Sequence, residues 1–270
     1  MREIKQDELK KIQIDILSHV HDFCEKKGIQ YWLDCGTLLG AVRHGGYIPW
    51  DDDIDIGMLR EDYDKFMATF NLENDRYQFV CYELNKNFLY MSGKVLDTNT
   101  ILYEPDRNGN KISVNIDVFV YDNAPESEKT LKRMYDKRDI LRRSHQLRNS
   151  NHKIEGKVVR RLTGNVARWS ALLFSKDYFI KAIIKNSQKY NKKETGRVGN
   201  FVSYARIACD RNIVSETVDI DFEEYKFKAP KGYAAWLSAF YGNYMVLPPV
   251  EKQVGHHVFE AYYKNEKGEA

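Results

Sequence analysis

Two acidic runs and one small-residue motif hold most of the reactive chemistry in this 270-residue chain. The first run is Pro49-Trp50-Asp51-Asp52-Asp53-Ile54-Asp55-Ile56-Gly57, and Gly36-Thr37-Leu38-Leu39-Gly40 lies just upstream of it. In an extended strand, residues two apart face the same side. Asp53 and Asp55 therefore point together, and Ile54 and Ile56 point into a core. Two converging carboxylates repel each other unless a cation lies between them. A hard, oxygen-ligated ion such as Mg²⁺, with Mn²⁺ as the alternative, suits them when substrate phosphates complete its shell. The third acid is Asp117, at the centre of Val114-Asn115-Ile116-Asp117-Val118-Phe119-Val120. That run is β-branched and aromatic, so it reads as a strand, with Asp117 on the face opposite Ile116 and Val118. A carboxylate there is costly to bury unless it is paired or metal-bound. Acidic runs are usually solvated loops, and Asp51 and Asp52 alone fit that description. The order of Gly-Thr, alternating strand and the helix-like Leu59–Phe70 favours one βα unit carrying a three-carboxylate metal site of Asp53, Asp55 and Asp117.

The elements that must position these groups can be read from periodicity. Leu9, Ile12, Ile16, Val20 and Phe23 recur at helical spacing, and Gly28 stops a helix over Lys5–Lys27. Ile29–Asp34 reads as a strand. Thr37–Arg43 reads as a short helix after a Gly-Thr turn, its first N–H groups suited to a phosphate. Arg43 and His44 flank that turn and could neutralise phosphate charge. Asp53–Met58 is the acidic strand and Arg60–Phe70 the helix after it. Tyr77–Glu83, Phe88–Leu96 and Ile101–Tyr103 read as strands, Pro105–Asn110 as a turn, and Val114–Tyr121 as the strand that closes the catalytic sheet. Beyond Pro125 the pattern is mostly helical. Lys132–Arg161 holds eleven Lys/Arg against three acids, and Val166–Ile184 is rich in aromatic and aliphatic residues. Such a tract suits either a solvated helix with an ordinary packed pair or a basic, aromatic-bearing surface for anionic lipid or charged glycan. Tyr225–Ala229 reads as a strand and Tyr233–Tyr241 as a helix between Pro230 and Gly242. The division expected is a catalytic core over residues 1–124, a basic helical segment over 125–195, and a C-terminal part over 196–270 that packs back on the core.

Composition sets outer bounds. With 43% hydrophobic residues the chain can build a sizeable core, and a net charge of +3 excludes neither polyanions nor anionic membranes. It has no apolar run of about 18 residues, so no transmembrane helix is expected. Its first residues lack the apolar core of a signal peptide. Cys24, Cys35, Cys81 and Cys209 form no C-x-x-C pair, which suggests reduced thiols in the cytoplasm and no zinc site. No recognisable nucleic-acid module is present.

Tyr31-Trp32-Leu33-Asp34-Cys35-Gly36-Thr37-Leu38-Leu39-Gly40-Ala41-Val42-Arg43-His44, followed by Gly46-Tyr47-Ile48-Pro49-Trp50-Asp51-Asp52-Asp53-Ile54-Asp55, resembles the signature of the LicD-type phosphotransferases. Lys94–Thr100, Ile116–Phe119 and Tyr241–Pro249 resemble later blocks of the same family, so the likeness runs nearly end to end. The resemblance implies a nucleotidyltransferase-like α/β (α+β) fold, a mixed sheet flanked by helices with a helical insertion. It also implies an activity: transfer of phosphocholine from CDP-choline to a sugar hydroxyl of a teichoic acid, lipopolysaccharide or capsule precursor, releasing CMP. CDP-glycerol, CDP-ribitol or another activated donor keeps the same site. True nucleotidyl transfer from an NTP is the remaining enzymatic alternative, and a non-catalytic binding relative would be expected to lose an acid.

Residue by residue, the resemblance puts Gly36 and Thr37 in the phosphate-binding turn, Asp53 and Asp55 in the metal pair, and Asp117 as third metal ligand or general base. Lys94 falls in a matching segment between the acidic strands and becomes a diphosphate contact, against the alternative of a surface lysine on an edge strand. Choline calls for an electron-rich aromatic cage. Tyr47 and Trp50 beside the acidic strand, and Tyr244 in the C-terminal block, are its candidates. His256 and His257 follow that block and stay outside the catalytic set. A lipid-linked acceptor implies peripheral contact with the inner membrane face.

Overall fold

The computed structural model describes residues 2–104, 110–149, 158–255 and 260–264. The expected Pro105–Asn110 turn, except Asn110, and His256–His257 lie outside the described residues. After strand β1 (Arg2–Ile4), helix α1 (Gln6–Lys27) buries Leu9, Ile12, Ile16, Val20 and Phe23 along one face. Gly28 ends it in the left-handed conformation, φ +61°. Then come β2 (Trp32–Leu33), α2 (Cys35–His44), β3 (Asp55–Leu59), α3 (Arg60–Thr69), β4 (Tyr77–Val80), β5 (Gly93–Asp97), β6 (Thr100–Glu104), β7 (Asn110–Ile112) and β8 (Asn115–Asn123). The second half holds α4 (Glu128–Asn149), α5 (Val158–Leu172), α6 (Tyr178–Ser187), β9 (Arg197–Asn200), β10 (Ile207–Asp210), β11 (Thr217–Phe222), β12 (Tyr225–Pro230), α7 (Tyr233–Tyr241) and β13 (Glu260–Tyr263).

The central sheet has seven strands and the expected mixed α/β character. Its main path is β10-β9-β8-β3-β2, and β5 joins β8 to β4. Among the described residues, only β3 and β8 pair in parallel, and their register sets Asp55 directly beside Asp117. A second sheet, β1-β13-β6-β7, and the hairpin β11–β12 complete the strands. Helices α1 and α3 meet through Phe23, Phe66 and Phe70, whose centroids lie 4.5–5.8 Å apart.

Several expectations shift. β8 is the interior of the sheet rather than its closing edge, since β3 lies on one side and β5 and β9 on the other. Gly36 and Thr37 lie inside the first turn of α2, not in a turn before it. Asp53 precedes β3 rather than belonging to it. The β2 strand is two residues long, because Asp34 already caps α2. The part beyond Pro125 is not simply helical, because β9 and β10 extend the catalytic sheet.

Candidate active site

The start of α2 clamps the backbone of the acidic strand. Thr37 Oγ1 accepts the Asp55 N–H at 2.8 Å, and the Asp34 N–H donates to the Asp55 carbonyl at 2.9 Å. The Asp117 N–H donates to the Ile54 carbonyl at 2.8 Å. Asp55 and Asp117 are thus fixed side by side by main-chain bonds before any ligand arrives. Asp55 is buried. Burial, and after it the charges of Asp53, Asp117, Asp34 and Asp51, push its carboxyl well above the ordinary range.

Asp51, Asp52 and Asp53 add to this charge. One oxygen from each lies within 4.8 Å of the others, and Asp51 and Asp53 line the same cleft as Asp55 and Asp117. A Cβ on Gly36 would lie 2.5 Å from Asp51 Oδ2, so glycine is what lets that carboxylate close onto the start of α2. Converging oxygen donors under mutual repulsion fit a hard divalent cation. Among the described residues, the acids whose oxygens converge within 4.8 Å are Asp51, Asp52 and Asp53 rather than the expected Asp53, Asp55 and Asp117, although Asp55 and Asp117 line the same cleft.

Asp117 is held on both oxygens. Ser92 Oγ donates to Oδ1 at 2.6 Å and Lys94 Nζ to Oδ2 at 2.8 Å, with Asn115 Oδ1 2.9 Å from the same ammonium. Lys94 is buried on a strand flanked by β4 and β8, so it is not a surface lysine on an edge.

The other expected residues are spread unevenly. Thr37 is buried, and its hydroxyl oxygen is engaged by β3, so its visible work is to position Asp55. Arg43 lines the cleft and donates to the Tyr244 carbonyl at 3.0 Å and to His44 Nε2 at 3.0 Å. Trp50 and Tyr244 line the cleft, but Tyr47 does not. Tyr47 is a core residue: its hydroxyl bonds Gln13 Oε1 at 3.0 Å and its ring packs on Phe222. It therefore leaves the proposed aromatic cage. Tyr90, Tyr241 and Phe240 face the cleft in its place.

Asp34 is the positioning residue that periodicity missed. It is fully buried and caps α2 by accepting the Cys35 N–H at 2.9 Å. It also accepts the Tyr121 hydroxyl and, at 3.1 Å, Trp236 Nε1. Burial raises its carboxyl despite these bonds. Cys35, in the left-handed region at φ +47°, stores backbone strain at the cleft wall. Burial, then Asp34, Asp55, Asp53 and Asp117, push its thiol well up.

The cleft measures about 1870 Å³. Its far wall comes from α4. The basic tract is not a uniformly solvated face: Arg138 is fully buried and donates to the carbonyls of Ser203, Tyr204 and Ala205. His145 is buried too, and bonds the Leu89 carbonyl at 3.0 Å. By contrast, α5 and the turn after it expose Val166, Trp169 and Leu173. No helix among the described residues is long and apolar enough to cross a membrane.

Residues 28–140 match the family model described as LicD/FKTN/FKRP, nucleotidyltransferase domain. Over 274 aligned positions, 97% of this chain and 99% of the other, the chain is 29% identical to the lipopolysaccharide cholinephosphotransferase LicD of Haemophilus influenzae. A 38-residue stretch, 14% of this chain and 8% of the other, is 58% identical to the ribitol 5-phosphate transferase FKRP of Homo sapiens. A 47-residue stretch, 17% of this chain and 18% of the other, is 53% identical to an uncharacterized protein of Rickettsia prowazekii. The expected kinship is met.

Proposed function

We propose that this chain, whose residues 28–140 are a LicD-type nucleotidyltransferase domain, transfers phosphocholine from CDP-choline to a hydroxyl of a cell-surface glycan precursor. The observation that supports this most is the acidic wall of Asp51, Asp53, Asp55 and Asp117 in a cleft of about 1870 Å³. Pockets for one small ligand usually measure about 300–1,000 Å³, so donor and acceptor can be held together. The near full-length likeness to a cholinephosphotransferase supports the choice of alcohol.

In this reading an acceptor hydroxyl attacks the choline-bearing phosphorus in line. A new P–O bond forms, the bond to the bridging oxygen of the diphosphate breaks, and CMP leaves with that oxygen. The hydroxyl proton passes to the carboxylate wall. Asp53 and Asp55, with Asp51 and Asp117 beside them, would hold a Mg²⁺ or Mn²⁺ ion, whose charge offsets that of the phosphates. Lys94 holds Asp117 in place and reaches the cleft as a diphosphate contact. Gly36 gives close backbone approach at the start of α2, and Arg43 adds positive charge. Trp50, Tyr241 and Tyr244 offer ring faces to the quaternary ammonium. The exposed Trp169 and Leu173, beside a basic helix, suit peripheral contact with the inner membrane face, where lipid-linked precursors lie.

A second donor has specific support. The short, strong likeness to a ribitol 5-phosphate transferase covers 38 residues, so CDP-ribitol or CDP-glycerol keeps the same mechanism with a different alcohol. Calorimetric titration with CDP-choline, CDP-glycerol, CDP-ribitol, CTP and ATP, each with and without Mg²⁺, separates the readings. Metal-dependent binding of CDP-choline alone is the expected result. Binding of an NTP and of no CDP-alcohol would replace phosphoalcohol transfer by nucleotidyl transfer.

A further inference from the structure

We propose that the wall of the cleft formed by Arg142 and Arg148 of α4 and by Lys176 is a subsite for a negatively charged group on the acceptor, a phosphate or a carboxylate. The proposal rests on the transfer reading above and adds the class of acceptor.

Arg142, Arg148 and Lys176 line the same cleft as Asp53 and Asp117. Arg142 Nε is buried and has no hydrogen-bond partner, a costly state for a guanidinium donor unless a ligand completes it. Among the described residues, the only side-chain hydrogen bond of Arg148 runs from Nε to the Phe174 carbonyl at 2.9 Å. None of the three cations has a carboxylate within 4.0 Å among the described residues. The contrast within α4 is sharp. Its three acids are all paired, Glu128 with Arg197 and Asp136 and Asp139 with Lys132, Arg138 and Arg206, and no acid follows Asp139 on the helix. Of the cations nearer its C-terminus, Arg142 and Arg148 face the cleft. The helix C-terminus favours positive charge, but it does not account for a buried, orphaned Nε.

The subsite is tied to the reacting end. His145, on α4 between Arg142 and Arg148, holds the Leu89 carbonyl, and Ser92 in the same loop bonds Asp117. A cleft with a carboxylate wall at one end repels an anionic acceptor. Unpaired cations along α4 reverse that field locally and fix which hydroxyl reaches the acids.

The test uses the full chain and three oligosaccharides of equal length: one phosphorylated, its phosphatase-treated neutral form, and one bearing a uronic acid. Binding is read by calorimetry at low salt, and turnover by CMP release from CDP-choline with Mg²⁺. The expected result is that the neutral form binds about tenfold more weakly than an anionic one. Preference for the phosphorylated or the uronic compound identifies the anion. Arg142→Gln with Arg148→Gln removes the difference, Arg142→Lys keeps most of it, and the affinity for CDP-choline stays where it was. Equal binding of neutral and anionic forms overturns the subsite. So does a loss of CDP-choline affinity in the double variant, which would assign the cations to the donor. If anionic binding depends on Arg142 while CDP-choline neither binds nor turns over, the subsite stands and the transfer reading fails.

Discussion

Asp117 and Asp122 lie on the same strand and both face a cation, yet they do different work. Asp122 is fully buried and saturated. Arg60 donates to its two oxygens at 2.7 and 3.1 Å, and Ser187 and Asn191 bond the same oxygens. Asp117 also has two fixed donors, but it stands beside Asp55, whose charge no cation among the described residues balances. A buried acid with all its partners supplied is part of the framework. A buried acid set beside a second carboxylate and open to a cleft is a site that charge from outside can complete.

Substitution at each acid should separate the two roles. Asp53→Asn and Asp55→Asn should each lower turnover by about 10³-fold or more. Asp55→Asn should not lower the thermal midpoint, because it removes a buried carboxylate from among like charges. Full activity in both variants would remove the acidic wall from the mechanism. Asp122→Ala should do the reverse. It leaves the largely buried Arg60 with Asp64 alone, at 3.2 Å, and should cost about 3 kcal/mol of stability in a denaturant titration, and replacing Arg60 with Met in the same chain should recover part of that. An Asp122→Ala protein as stable as the parent would erase the contrast.

Lys94→Met sits between the two. It should lower turnover by about 10²-fold with a smaller loss of stability, since Ser92 still holds Asp117. A stability loss like that of Asp122→Ala would class the Lys94–Asp117 pair as framework. The smallest effect concerns His145, whose imidazole burial holds below its ordinary range. Its folded value is depressed, so its contribution is fully present above the ordinary histidine range and is lost as pH falls through the lowered one. Stability should fall on the acid side of neutrality, and His145→Gln should flatten that slope. An unchanged slope would show that the anchor of the 85–92 loop does not titrate.

Legibility in the sequence followed the range of the interactions. The acidic strands, α1 and α7 show in local periodicity, because each buries one face by its own spacing. β9 and β10 do not, because Arg197-Val198-Gly199-Asn200 is short and polar and becomes a strand only by pairing with β8 and β10. Asp34 reads as the end of a strand, and nothing local to it points to its cap role or to Tyr121 and Trp236. Tyr47 misled by nearness in sequence: its backbone N–H is held by Glu223 at 2.9 Å and its ring turns to the core. Trp50, a few residues on, faces the cleft. Asp51 was readable only as a loop acid until Gly36 was seen beneath it.

The bond from Trp236 to Asp34 also bears on how the protein is made. A chain emerging from the ribosome presents its N-terminal part first, so both acidic strands and α2 are exposed long before their last supports exist. Trp236 must arrive to fix the helix cap, and Tyr244 to anchor Arg43. The wall of Phe240, Tyr241 and Tyr244 comes with them. A nascent chain that stalls before these residues lacks both the bond to the helix cap and the aromatic wall of the cleft. Synthesis as far as Tyr244 thereby becomes a condition for an enclosed cleft.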